Sequence, residues 1–417
     1  MSLASVMRAE AALLVPTYDR YKVLLRKGRG VYLYDDAGRS YLDLLTGIGV
    51  NALGHGHPAV RKALAQQADK LIHVSNLFYH DYQSELAKRL TRISGLDRAF
   101  FCNSGTEAWE AALKFARAHA RTRSRNGSRP AWRILALENS FHGRTFGSLS
   151  TTGTPKYREP FEPLVPGVRF VRANDLRDLE RKFDSTVCAV GIETIQGESG
   201  VKLISREFLQ TARQLATKYG ALLMIDEIQC GLGRTGTWFA YQQHGIMPDL
   251  LTVAKPLAGG LPLGALLTTD AVARSIKPGM HGTTFGGGPL ACAVAIAVID
   301  TMEKEGLLDH VRKVGGYFRT RLEELQDRHV SVRDVRGNGL MLAVELDSAD
   351  LAKAVHLGML KRRVIVNRAH EVVLRILPPF ILERKHVDHA VATLDAVLTS
   401  AEKSARTPVL AHAGRSN

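Results

Sequence analysis

The sequence predicts an α/β protein built on a mostly parallel sheet, with a smaller α+β unit beside it. Three observations carry that reading. First, short β-rich runs, RAFFC (98–102), RILAL (133–137), VRFV (168–171), CAVGIE (188–193), ALLMIDE (221–227) and LLTVA (250–254), alternate with helical stretches at 59–71, 84–93 and 107–120. Such alternation marks βαβ units. Second, the runs are apolar almost throughout, as strands buried on both faces are. Third, the pattern changes past about residue 305. There a helix at 309–328 leads to strands at 332–335 and 340–345, and a helix at 349–362 to strands at 364–367 and 373–376; a last helix covers 385–400.

The chain opens with alternating apolar residues, VYLYDDAGRSYLDLL (31–45), turned at 36–38, which is a hairpin signature. The expected organisation is an N-terminal segment 1–58 belonging to the small domain, a large domain 59–305 and a C-terminal α+β part 306–402. The tail 403–417 lacks periodicity and is expected to be loose. There are no internal repeats.

With 417 residues, 45% hydrophobic and 23% charged, the composition is that of an ordinary globular protein. No apolar stretch reaches the length of about 18 residues that a membrane helix needs. The N-terminus, MSLASVMRAEAALLVPTY, has a short apolar core and an acid at Glu10, a poor signal peptide. A cytoplasmic protein is expected. Cys102, Cys188, Cys230 and Cys292 are scattered without zinc spacing, so buried reduced thiols are expected and no metal. The net charge of +15 admits nucleic acid, an acidic membrane surface or anionic small molecules as partners. Much of it sits in RAHARTRSRNGSRPAWR (117–133) and after Lys403. The first stretch lacks the interleaved aromatics of a single-strand binder and any zinc-finger or zipper pattern, so it is expected to be a solvated loop.

Three segments carry chemistry. Asn103-Ser-Gly-Thr-Glu107 joins a strand to a helix. It reads as a phosphate seat at a helix N-terminus or as a simple capping box. ALLMIDEIQCGLGRTG (221–236) ends a buried strand in two acids, which suits Mg²⁺ or a protonated ring nitrogen equally. LLTVAKPLAGGLPLG (250–264) drives Lys255 into the end of another such strand. Desolvation there makes the amine a nucleophile of the Schiff-base kind, unless it simply pairs with Asp226. Together the segments ask for a ligand with a phosphate, an aldehyde and a ring nitrogen, and pyridoxal phosphate (PLP) has all three.

Eight motifs then fall in one order along the chain: GIGVNALGHGHP (47–58), SGTEA (104–108), FHGRT (141–145), IQGESG (195–200), IDEIQCGLGRTG (225–236), AKPLAGGLPLGA (254–265), HGTTFGG (281–287) and LRILPPF (374–380). From Thr17 to about Ala390 the chain resembles the subgroup III (ornithine-type) aminotransferases of PLP fold type I, and is most similar to acetylornithine aminotransferases. The resemblance implies a large domain with a seven-stranded, mostly parallel sheet between helices, and a small α+β domain made from both ends of the chain. It also implies a homodimer with a shared active site. Lys255 is then the residue that holds PLP as a Schiff base and shuttles a proton, and Asp226 pairs with the ring nitrogen. Gln229 bonds the phenolic oxygen, Phe141 stacks on the ring, and His142 completes its surroundings. Ser104, Gly105 and Thr106 hold the phosphate, which Thr284 of the neighbouring subunit also reaches. Arg144 clamps a substrate carboxylate, with Tyr18 and Thr283 assisting. Arg375 is the second carboxylate-binding arginine, partnered by Glu198 when glutamate is absent. Trp109, Thr194 and Gly288 depart from the family's usual Asn, Pro and Asn, and remove none of these groups.

The implied reaction moves the terminal amino group of N²-acetyl-L-ornithine to 2-oxoglutarate in two half-reactions. Ile48 stands where ornithine aminotransferases carry a tyrosine, which leaves room for an acyl group. Ornithine, succinylornithine and succinyl-diaminopimelate are the alternative amines. A nucleic-acid-binding protein would account for the charge but leave Lys255, Asp226 and FHGRT without a role. A PLP racemase or decarboxylase has no use for a second arginine. If the positive charge steers anionic substrates, kcat/KM falls as ionic strength rises, and a salt-independent kcat/KM removes that role.

Overall fold

Strands that are apolar on both sides need a layer over each face, and the chain supplies both. The computed structural model describes residues 1–124 and 129–406. Its main sheet has seven strands in the order Arg98–Cys102, Gly264–Thr268, Leu250–Val253, Leu222–Asp226, Val187–Glu193, Arg133–Leu137, Val168–Val171. Gly264–Thr268 runs antiparallel to both its neighbours, and the other pairs are parallel. Side chains alternate between two cores. Leu223 and Ile225 pack with Leu209 and Ala212 on one face. Leu222 and Met224 pack with Trp109, Ala112 and Phe115 on the other. The helices that supply these faces are Arg206–Tyr219, capped by Ser205, and Gly105–Arg123, capped by Ser104.

The two ends of the chain build the second unit together. Strands Leu25–Arg29, Tyr32–Asp35 and Ser40–Asp43 are joined in one sheet by Val364–Ile365, with Leu42 opposite Val364 in parallel. A second sheet runs Val332–Asn338, Met341–Leu346, Val373–Ile376, Asn367–Arg368. Leu42, Leu44, Phe318, Val344, Leu374 and Leu394 share one core, which brings helices Leu307–Arg328 and Arg384–Arg406 onto these sheets. Arg234 ties the units: wholly buried, it donates to the carbonyls of Leu340 and Pro378 and lies over the Phe380 ring.

Several runs stand where the sequence puts them, among them 98–102, 133–137, 168–171 and 373–376. The strands Gly264–Thr268 and Leu25–Arg29 and the helix Leu3–Leu13 were not anticipated. The basic stretch needs correction. Gly105–Arg123 stays helical through its arginines because Ala112, Phe115 and Ala116 bury one side. Arg117 meanwhile bonds the carbonyls of Trp132 and Pro166. Residues 125–128 of that stretch lie outside the described residues. The loose tail is corrected at its start, since the last helix continues to Arg406; residues 407–417 lie outside the described residues. All four cysteines are buried and unpaired. Among the described residues no helix is long and apolar enough to cross a membrane.

Neighbouring glycines in helix Leu307–Arg328 test this packing. A Cβ on buried Gly315 would stand 2.3 Å from the Gly339 carbonyl oxygen, whereas one on exposed Gly316 meets nothing within 4 Å. Gly315→Ala should destabilise the chain by about 1–3 kcal/mol through overpacking. Gly316→Ala should stabilise it by about 0.5–1 kcal/mol through helix propensity. Denaturant unfolding of both variants checks the pair; equal effects would refute the close approach.

Candidate active site

The carboxyl ends of Val187–Glu193, Leu222–Asp226 and Leu250–Val253 open into a cavity of about 430 Å³, lined among others by Ser104, Phe141, Glu198 and Lys255. Ligands of open α/β sheets sit beyond these strand ends. Parallel register sets Asp226 between Glu193 on one neighbour and Thr252 on the other.

Asp226 and Lys255 both line the cavity, yet they form no ion pair with each other among the described residues. Asp226 instead meets His142 Nδ1 through Oδ2 at 2.7 Å, and its Oδ1 accepts the Ile228 amide at 3.0 Å. Burial lowers the pKa of Lys255, against the pull of the Glu198 and Asp226 charges. An amine so placed reaches its neutral, nucleophilic form more readily than a surface lysine.

The turn before helix Gly105–Arg123 is both a cap and an anion seat. Ser104 Oγ accepts the Glu107 amide at 3.3 Å, and Glu107 Oε2 accepts the Asn103 amide at 2.6 Å. The Gly105 and Thr106 amides, which no intrahelical carbonyl reaches, line the cavity at the positive end of the helix. Close approach is built in, since a Cβ on Gly143 would stand 2.2 Å from Thr106 Oγ1 and one on Gly105 2.7 Å from Ile228. This corner can hold a phosphate.

Of the two expected arginines, Arg144 is on the lining and Arg375 stands off it, behind Glu198 and Gln229. Arg144 lines the cavity with its guanidinium 4.1 Å from the Tyr157 ring centre and 5.5 Å from that of Phe141. Arg375 is buried and bonds Glu198 Oε1 at 2.6 Å, Gln229 Oε1 at 3.1 Å and Asn367 Oδ1 at 2.7 Å. Gln229 Nε2 donates to Glu198 at 3.2 Å. Burial would raise the Glu198 carboxyl, but Arg375 and Lys255 outweigh it and hold its pKa low.

Other expected residues lie apart. Tyr18 is exposed and does not line the cavity. Thr283 stands one step behind, accepting from Asn103 Nδ2 at 3.1 Å. Thr284 lies exposed in a separate groove with His73, Asn76 and Phe285. Ile48 is also off the lining; Val50, two residues on, is on it. Ile48 sits at φ 66°, inside a run of four left-handed residues from Thr46 to Gly49, a costly conformation for a β-branched residue. Asp43 steadies that run, accepting the amides of Leu45 and Thr46 and pairing with His55. Among the described residues no cluster suits a metal ion.

Glu193 is a cavity residue that the sequence reading missed, although it too is an acid ending an apolar strand. It accepts the Phe141 amide at 2.9 Å. Burial, and then the charge of Asp226, push its pKa well above the ordinary carboxylate range. Asn103 and Val50 line the cavity too; both lie inside segments that the sequence singled out, 103–107 and 47–58, though neither was given a role.

A family model described as aminotransferase class-III matches residues 15–398. The acetylornithine aminotransferase of Aquifex aeolicus is 45% identical over 386 residues, covering 92% of this chain and 99% of that protein. The crystal structure of the ornithine aminotransferase from Toxoplasma gondii matches with a TM-score of 0.91 at 30% identity, over 97% of this chain and 96% of that one. The acetylornithine aminotransferase from Elizabethkingia anophelis gives 0.85 at 30% identity, over 96% and 100%.

Between the ordinary carboxylate range and the higher pKa that burial gives Glu193 in the fold, the folded chain binds a proton that the unfolded chain has released. Stability from this group therefore declines as pH rises through that range. Glu193→Gln cannot ionise and lacks that slope. Urea midpoints should thus favour the variant progressively from about pH 5 to pH 8; parallel midpoints would mean that Glu193 is ionised in the fold.

Proposed function

The chain belongs to the class-III aminotransferases, enzymes that use PLP, and on that premise we propose that it moves the terminal amino group of N²-acetyl-L-ornithine to 2-oxoglutarate, as a cytoplasmic homodimer. The observation that carries the proposal is one cavity lined by a lysine without an ionic partner among the described residues, a buried aspartate, a helix N-terminus and Arg144, with Arg375 bonded to Glu198 and Gln229 of the lining. The substrate rests on the 45% identity to the Aquifex aeolicus acetylornithine aminotransferase over most of the chain.

The residues present fit PLP. The amides of Gly105 and Thr106 would hold its phosphate, Phe141 would cover the ring and Gln229 would meet its phenolic oxygen. When bound, it supplies an electron-poor ring that takes up the electron pair left as the substrate carbon loses a proton. Asp226 holds a proton at the ring nitrogen, which His142 orients it to do. Lys255 Nζ carries the proton from the substrate's amine-bearing carbon, burial having lowered its pKa for that exchange. Arg144 binds the α-carboxylate through its planar fork. Glu198 occupies Arg375 while the acylated amine is bound and yields it to the second carboxylate of 2-oxoglutarate.

Exposed Ile72, Leu77, Phe78, Tyr79 and Phe285 favour the homodimer. Apolar side chains gathered this way mark a partner surface. Thr284, next to Phe285, would face the partner's phosphate.

Purified protein should show a visible cofactor band that bleaches with N²-acetylornithine and returns with 2-oxoglutarate. Lys255→Ala should lose turnover by at least about 10³-fold. A colourless protein, or a variant that still turns over, refutes the aminotransferase assignment. Equal turnover of ornithine refutes only the choice of amine.

A further inference from the structure

Asp226 and His142 have uses in the reaction proposed above, but the buried indole stacked on His142 has none. His142 meets Asp226 through Nδ1, while its buried Nε2 has no partner among the described residues. A histidine ring turns broadly about its last torsion, so one hydrogen bond alone holds it weakly. Trp109 supplies the second restraint. Its indole lies flat on the imidazole, with centroids 3.9 Å apart and planes 5° apart. The indole is wholly buried, and its Nε1–H donates to Thr151 Oγ1 at 2.8 Å. Thr151 is also buried and donates on to the Ser148 carbonyl at 2.9 Å. The six-membered ring packs on Gly191, where a Cβ would come within 2.8 Å of it. Glycine weakens the interior of a strand, and here its bare Cα makes the room that the indole fills.

We propose that Trp109 is a positioning residue for the reaction: by stacking on His142 it fixes the hydrogen bond to Asp226, and through it the share of the proton that Asp226 leaves on the cofactor's ring nitrogen. The proposal rests on the aminotransferase reading above. A carboxylate that accepts a hydrogen bond is less basic than one that does not. With His142 held, Asp226 leaves the proton on the ring. With His142 free to turn, Asp226 becomes more basic, draws the proton towards itself and leaves the ring less positive. A stacked indole also favours any positive charge the imidazole carries.

The holoenzyme tests this by spectroscopy and kinetics. In Trp109→Leu the pH midpoint of the visible cofactor band should rise by about half a unit or more, as it must when the ring nitrogen loses positive charge. The same variant should lose about tenfold or more in kcat with KM nearly unchanged. Trp109→Phe, which keeps a ring on the imidazole, should bring kcat back to within about threefold of the original. Gly191→Ala displaces the indole without altering either ring and should move the band in the same direction. If Trp109→Leu fails to take up cofactor, the Gly191→Ala midpoint decides. An unmoved midpoint in the variants that load, with or without a fall in kcat, means that Trp109 only packs, and overturns the proposal. An original chain with no visible band overturns the aminotransferase reading and this proposal with it.

Discussion

The 2.7 Å contact between His142 and Asp226 is what lets a wholly apolar strand end in a charge. Burial penalises a lone carboxylate by several kcal/mol unless hydrogen bonds replace its water. Three acids, Glu193, Asp226 and Glu227, end adjacent strands or follow them, and like charges so close resist joint ionisation. The fold separates them by giving each its own donors. Glu193 takes the Phe141 amide, Asp226 takes His142, and Glu227 turns away to the amides of Ala240 and Tyr241. Only Asp226 and Glu193 are left facing the cavity.

The same division holds for the cations. Arg375 is matched by Glu198 and two amide oxygens, and Arg144 rests over aromatic rings. Lys255 has neither kind of partner among the described residues. The amine, where a carbonyl would react, is thus held by neither a hydrogen-bonded acid nor a ring, although the charges of Glu198 and Asp226 act on it. A strand fixes Asp226, the turn directly after the next strand holds Lys255, and a helix start fixes the anion seat, so little has to be ordered when a ligand arrives.

Much of this was legible in the sequence, for identifiable reasons. Strands such as Arg133–Leu137 are buried on both faces, so they appear as unbroken apolar runs whose ends are sharp. Gly264–Thr268 was not, because GALLT follows a glycine- and proline-rich loop and has little β-branched character. The helical stretch read at 107–120 already reached into the basic run, whose arginines hid only the last turn, to Arg123, where no buried apolar residue continues the pattern. At the site, Lys255 and Asp226 announced themselves as charges in apolar runs. The stack of Trp109 on His142 could not, because residues that far apart in sequence meet only once the sheet and its covering helix are assembled. Ile48 illustrates a different limit: its identity was legible, but its left-handed backbone and its place off the cavity lining were not.

The pairing of Leu42 with Val364 has a bearing on how the molecule is made. A chain leaving the ribosome can assemble the middle sheet from residues already synthesised, because its strands lie between Arg98 and Thr268. The first three strands must wait for the C-terminal segment before their sheet is complete. That same segment carries Arg375, and its Leu377 carbonyl accepts the hydroxyl of Thr46, where the left-handed turn ahead of Val50 begins. The turn that leads to the Val50 side of the cavity is therefore pinned only once that segment is in place. Without that segment Thr46 would lose this acceptor and Glu198 its arginine, so the cavity depends on a part of the chain that supplies none of its lining.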